Sequence, residues 1–223
     1  MKGRAPLSLA VLISGRGSNM VAIAQACAMG QINAFIKVVI SDQPDAAGIE
    51  VARNFGLVTT IVARAAFTDA AAFEEALARA LHELAPELIV FAGFMRILSP
   101  SFVTRYAGRM LNIHPSLLPQ YRGLHTHRRV LAAGDAEHGA SVHFVTPELD
   151  AGPIVLQSVV AVRAGDTEKT LAARVLASEH IIYPRVIGWI ADGRVALREG
   201  RAWLDGAPLH APLVENMRGT AGH

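Results

Sequence analysis

Short apolar runs alternate with segments of helical period through the first half of the chain. "SLAVLIS" (8–14) reads as a β-branched strand, and 19–29 as a helix stopped by Gly30. "AFIKVVIS" (34–41) is a second strand, followed by a helix over about 46–55 that ends at Gly56. "LVTTIV" (57–62) is a third, after which Thr68 or Asp69 can cap a long helix reaching Leu84, just before Pro86. "ELIVFAG" (87–93) is apolar almost throughout. Strands of this kind between helices predict a mostly parallel, Rossmann-like α/β sheet covered on both faces.

Beyond Phe94 the rhythm changes. "MLNIHPS" (110–116) predicts a short strand ending in a loop rich in proline, glycine and histidine, and 127–133 a brief helix. "GASVHFVT" and "PIVLQSVVAV" are strands joined by "PELDAG", so they are expected to pair as neighbours. Residues 167–191 have helical period with an interruption expected near Pro184, and "VALREGRAWLDGAPL" reads as a hairpin-like extension. The pattern predicts a single domain over 1–223, with a regularly alternating half to about 100, a second half over about 101–205 and a short tail.

Composition narrows the function. Of 223 residues, 52% are hydrophobic and 18% charged, which is a globular balance, and a net charge of +2 is too thin for a nucleic-acid surface. The N-terminal apolar run breaks at "SGRGSN", too early for a signal peptide, and no apolar stretch approaches the ~20 residues of a membrane span. The single Cys27 cannot form an internal disulfide. These features predict a soluble cytoplasmic protein.

Two stretches carry candidate chemistry. In "VLISGRGSNM" two glycines close a strand and open a helix, leaving backbone N–H groups and the positive helix end free for an anion. A P-loop would need a lysine that is absent, and a dinucleotide fingerprint a third glycine where Met20 stands; Asp42 could still mimic its ribose-binding acid. A monophosphate held by Gly17, Ser18 and Asn19 is the preferred reading over a plain capped turn. In "LNIHPSLLP", Asn112 and His114 stand two apart on a strand and so share one face. Asp150, in the loop between two strands, is either a turn aspartate or a carboxylate that orients or charges the histidine. His125 and His127 lack a third ligand at metal spacing.

Taken in order, "ISGRGSN", "FAGFMRILSP", "LNIHPSLLP", "GLHTH", "HGASVHFV" and "ELDAGP" resemble the folate-dependent formyltransferases, over about 9–204. "SGRGSN" and the Glu179–His180 pair resemble the group acting on glycinamide ribonucleotide. The resemblance implies formyl transfer from 10-formyltetrahydrofolate, a co-substrate, to the ribonucleotide amine, without metal or covalent intermediate. It implies Asn112, His114 and Asp150 as catalytic residues, with Gly17, Ser18, Asn19 and Glu179 on the ribonucleotide. Folate contacts would come from Met95, Arg96, Ile97, Leu98, Asn112 and the stretch Thr146, Pro147, Glu148, Leu149 and Asp150. Where the family can place a basic residue for the folate tail stands Ala70, leaving Arg96. The expected partners are these two small molecules, without nucleic acid or membrane, acting on a monomer or homodimer. A formyltetrahydrofolate hydrolase and a non-catalytic phosphate-binding module are the competing readings.

Overall fold

The computed structural model describes residues 4–217. β1 (Leu7–Ile13), α1 (Ser18–Ala28), β2 (Ala34–Ser41), α2 (Ala47–Asn54), β3 (Thr59–Ile61), α3 (Ala70–Leu84) and β4 (Leu88–Phe91) carry the alternation. They are followed by α4 (Pro100–Arg105), β5 (Met110–His114), α5 (Thr126–Ala133), β6 (Glu137–Phe144), β7 (Ile154–Ala161) and α6 (Glu168–Ala191). Four short strands complete the chain: β8 (Val195–Arg198), β9 (Arg201–Leu204), β10 (Ala207–Pro208) and β11 (Leu213–Asn216).

The main sheet runs β11-β7-β6-β5-β4-β1-β2-β3. It is parallel from β5 through β3 and antiparallel at β5–β6 and β6–β7. Its two faces bury separate sets of side chains, and the alternation of β1 explains why. Leu9, Val11 and Ile13 pack with Met20 and Ile23 of α1 and with Tyr183 of α6, whereas Ala10 and Leu12 pack with Phe73 and Leu77 of α3 and Phe102 of α4. Successive residues of a strand point to opposite faces, so a continuous apolar run requires helices on both. Each of the larger buried side chains contributes roughly 1.5–3 kcal/mol relative to exposure.

The sequence period and the structure differ in places, each for a local reason. α6 runs without interruption through Pro184. A proline there removes one backbone donor, and the core packing of Ile182, Tyr183, Val186 and Ile187 on either side holds the helix together. β3 covers only Thr59–Ile61, as suits a half-exposed edge strand. α4 was not anticipated, although Ser99 accepts from the Phe102 N–H and Pro100 occupies the first helical position, both start signals. The 195–209 extension does form a small antiparallel sheet, and β11 then rejoins the main sheet parallel to β7. Asp69, rather than Thr68, caps α3 by accepting from the Ala72 N–H.

Sheet order also fixes where a ligand can sit. Chain order proceeds outward from β1 to β2 and β3 on one side, and from β4 to β5 on the other. The switch point therefore falls between β1 and β4, where open sheets of this kind leave a crevice beyond the strand ends. The crevice is stitched across by Ser14, whose N–H donates to the Gly93 carbonyl (3.0 Å) and whose Oγ accepts from the Met95 N–H (2.8 Å).

The loop after β1 rests on a contact between two glycines. Gly17 has φ of 73°, and a Cβ on it would lie 3.2 Å from the Gly48 Cα; a Cβ on Gly48 would lie 2.6 Å from Ile13 Cδ1 and 2.8 Å from the Gly15 carbonyl oxygen. Gly48→Ala is expected to destabilise the protein by about 1–3 kcal/mol, as overpacking does. Gly15→Ala, with nothing within 4 Å of its Cβ, is expected to be near neutral. Thermal unfolding of the two variants checks this: equal melting temperatures would remove the close approach as the reason for the glycine.

Candidate functional site

Antiparallel pairing of β5 with β6 sets Asn112 opposite His143 and His114 opposite Ser141. Asn112 and His114 share a face because they are two apart on a strand, and the cross-strand partner of Asn112 stands on that face too. The 145–153 loop then folds back and places Asp150 against them. His114 Nδ1 lies 3.4 Å from Asp150 Oδ2, and His143 Nε2 lies 3.9 Å from Asp150 Oδ1. Asp150 has φ of 48°, a left-handed conformation that aspartate tolerates better than most residues. Two residues on, Gly152 is needed because a Cβ there would sit 1.8 Å from the Phe144 carbonyl oxygen. The three sequence candidates are therefore brought together. His143 joins them, and sequence spacing did not single it out.

The second nitrogen of His114 is engaged as well. Nε2 lies 3.0 Å from the Tyr121 carbonyl, which can only accept, so the ring donates there. Asp150 in turn accepts from the Gly123 N–H at 2.9 Å, and Arg122 pairs with Glu148 at 2.8 Å. The segment 116–126 is tied to the sheet at several points: Ser141 Oγ donates to the Ser116 carbonyl, and Leu118 N–H donates to Ser141 Oγ. Gln157 donates to the Leu118 carbonyl, and the Tyr121 hydroxyl pairs with Asp135.

At the glycine loop, Ser18 begins α1 and Asn19 turns inward. Its Nδ2 donates to Glu179 Oε2 at 2.7 Å across the α1–α6 contact. Asn19 Oδ1 is buried without a partner. Burial raises the Glu179 carboxyl to about 7, with the Asn19 bond pulling the other way. A cleft between α1 and α6, with Ser18 and His180 in its wall, opens beside this pair and contains none of the trio.

The 95–98 segment supplies backbone. Met95 and Ile97 are exposed, whereas Leu98 is buried in the core beside α3 and α4. Backbone groups of Arg96, Ile97 and Leu98 take no part in the hydrogen bonds of the described residues. Arg96 itself is tied through Nε to the buried carboxylate of Asp42. That pairing corrects the reading of Asp42 as a ribose-binding acid: its charge is already neutralised by a neighbour. Thr146 Oγ1 donates to the Glu148 carbonyl, and Pro147, Glu148 and Leu149 lie towards solvent.

His127 does not serve as half of a pair with His125. Its Nδ1 lies 3.0 Å from Nε2 of His138 on β6, joining α5 to the sheet. Burial lowers both imidazoles, His138 to about 4. Among the described residues no group of three or more His, Cys, Asp or Glu is placed to hold a metal ion. No helix among them is long and apolar enough to cross a membrane.

A glycine loop opening a helix at the switch point, together with an Asn–His–Asp cluster one strand beyond β4, defines the class. Residues 7–187 match the Formyl transferase family, and the chain belongs to it. It is 53% identical over 203 residues to the phosphoribosylglycinamide formyltransferase of Escherichia coli (strain K12), covering 91% of this chain and 96% of that one. Among solved structures, the phosphoribosylglycinamide formyltransferase of Coxiella burnetii superposes with a TM-score of 0.90 at 47% identity, over 94% of this chain and 99% of its own. A formyltetrahydrofolate deformylase from Burkholderia mallei gives 0.81 at 27% identity, over 90% of this chain but 70% of its own.

Two pH effects follow. Glu179 has a folded value above its ordinary 4.5, so its contribution to folding is fully present below that pH and is lost as pH rises to about 7. Glu179→Gln removes the buried charge, and is expected to stabilise the protein at about pH 8 by on the order of 2 kcal/mol more than at about pH 4. Denaturant unfolding at both pH values tests this, and equal shifts would refute it. The His127–His138 pair has the opposite sign. Both values lie below 6.5, so its contribution is present above that pH and is lost as pH falls towards about 4. The protection of α5 amides, taken relative to their intrinsic exchange rate at each pH, is expected to fall at about pH 5 compared with about pH 7.5, more than that of α3 amides does.

Proposed function

We infer that this protein transfers the formyl group of 10-formyltetrahydrofolate to the amine of glycinamide ribonucleotide, a step of purine biosynthesis. The observation that carries the reading is the convergence of Asn112, His114 and Asp150 on one face of β5–β6, with β4 alone between that strand pair and β1, whose C-terminal end carries the glycine loop. A non-catalytic phosphate module gives no reason for that convergence.

Gly17, Ser18 and Asn19 hold the phosphate at the N-terminus of α1, and Glu179 takes the ribose hydroxyls. The unpaired backbone of 96–98 takes the pterin edge, with the 146–150 loop closing over it. Attack of the amine on the formyl carbon generates a tetrahedral oxyanion, which the Asn112 amide and the His114 Nε2–H stabilise by donating to it. The Tyr121 carbonyl holds that Nε2–H beforehand and yields to the stronger, charged acceptor as it forms. Asp150 keeps the other ring nitrogen directed and accepts the amine proton through water; as the oxyanion collapses, the bond from the formyl carbon to the folate N10 breaks and that nitrogen takes up the proton. Arg96, restrained by Asp42, is the cation left for the folate tail. A cytoplasmic setting suits a chain whose one cysteine has no disulfide partner.

Incubation with 10-formyltetrahydrofolate, with and without the ribonucleotide, tests the activity. Turnover only when both are present is expected. Folate consumption without the ribonucleotide would instead identify a hydrolase, and no consumption in either case a binding module. His114→Ala and Asp150→Asn are each expected to lower kcat by about 100-fold or more with little change in ribonucleotide affinity, because both act on charge that appears in the transition state. A variant that kept kcat and lost ribonucleotide binding would overturn its assigned role. Because Gly17 is also fixed by packing, Ser18→Ala is the cleaner probe of the phosphate loop, with KM rising for the ribonucleotide and not for the folate.

A further inference from the structure

We propose that His143 is a positioning residue for formyl transfer: its bare Nε2 accepts from the Asn112 side chain and thereby fixes which end of that amide meets the reacting formyl group. The proposal rests on the activity inferred above. It starts from an asymmetry in the ring's two partners.

His143 Nδ1 lies 2.9 Å from the Phe144 carbonyl oxygen. A carbonyl can only accept, so the proton of a neutral ring must be on Nδ1. Nε2 then carries a lone pair, and the atom 3.1 Å from it must be a donor. Of the two ends of the Asn112 amide only the NH₂ qualifies. Rotating the amide by half a turn would set its oxygen against the lone pair of the ring. One N–H is spent on His143, and the other, on the same nitrogen, is taken by no group among the described residues. That remaining N–H is the donor an oxyanion needs.

The arrangement depends on the ring staying neutral. His143 is 2% exposed, and burial lowers its proton affinity, helped by the neighbouring His114. Asp150 and the Phe144 carbonyl act in the opposite sense but do not outweigh burial. Asp150 turns Oδ2 to His114 and the Gly123 N–H, and its Oδ1, the oxygen nearer His143, lies 3.9 Å from Nε2, too far for a hydrogen bond. Antiparallel register makes the contact obligatory, since Asn112 and His143 are direct partners across β5–β6.

His143→Gln and His143→Leu separate this role from packing. Glutamine can place an amide oxygen where Nε2 stood, whereas leucine fills space without an acceptor. His143→Leu is expected to lower kcat by about 10-fold or more, a fraction of the loss seen on deleting an oxyanion donor, with both KM values within about twofold. His143→Gln should recover most of that loss. In an Asn112→Ala background His143→Leu should cost nothing further, because the residue acts only through Asn112. An equal loss in both backgrounds would overturn the proposal. A second measurement does not need activity: ¹⁵N shifts of the unaltered protein at neutral pH should show a protonated Nδ1 and a bare Nε2. The reverse tautomer or a doubly protonated ring would also overturn it, even if His143→Leu failed to fold. Loss of the parent reading has a different signature, namely no ribonucleotide-dependent formyl transfer by the unaltered protein.

Discussion

The reversal of strand direction at β5 is the constraint on which the site depends. β5 has a parallel neighbour in β4 and an antiparallel one in β6. The parallel side places its C-terminal end on the same edge as the glycine loop and the 93–98 segment, beside the switch point. The antiparallel side supplies cross-strand partners in fixed register, and the loop that follows β6 folds back over them. A slip of one residue would turn Asn112 and His114 away from Asp150 and towards the opposite core. The hydrophobic alternation of Leu111 and Ile113, both buried against the α6 side, prevents that slip. Packing energy on one face thus fixes polar geometry on the other.

Around this frame, burial favours the uncharged forms of ionisable groups. His143, His138 and the Glu179 carboxyl are all shifted towards their neutral forms by desolvation. Neutral imidazoles are the useful state where a ring must accept from one neighbour and donate to another, as His143 does. Glu179 is a different case. Its one direct partner is Asn19, and Tyr183 next to it has its hydroxyl between the Phe91 and Leu111 carbonyls, 2.8 and 3.0 Å away. A carboxylate with so few donors costs stability near neutral pH, and ribose hydroxyls would offset that cost by donating to it. Under the function proposed above, binding and stability pull on the same residue in opposite directions.

The parallel half of the fold was legible in the sequence because its signals are local: apolar runs, helix stops at Gly30 and Gly56, a cap at Asp69. Asn112 and His114 were legible for the same reason, since i and i+2 on a strand share a face wherever the strand lies. His143 was not, because its place beside Asn112 follows from β5–β6 register, which no local period encodes. The Asp42–Arg96 pair is also non-local, and it gives a partner to a residue that in sequence could still have mimicked a ribose-binding acid. α4 could have been read from Ser99–Pro100, a start signal obscured by the shortness of the helix. Pro184 misled for a physical reason: the rule against interior prolines assumes a helix held by its own hydrogen bonds, whereas α6 is held by its core.

In the reaction proposed for this site, the Tyr121 carbonyl explains how the buried His114 imidazole can wait for a charge. An unpartnered N–H in this setting would cost roughly 1–3 kcal/mol, so the resting ring needs an acceptor. A strong one would compete with the reaction. A neutral backbone carbonyl at 3.0 Å satisfies the donor but forms a weaker bond than an oxyanion would. A formyl oxygen in the ground state is itself a neutral carbonyl and gains nothing by displacing it. Once negative charge develops, the exchange becomes favourable, so the bond strengthens selectively in the transition state. Tyr121 is suited to this part because its position is set from outside the site, by the hydroxyl bond to Asp135 and by Arg129 lying 5.2 Å over its ring. Its backbone can yield the proton without the loop having to unfold.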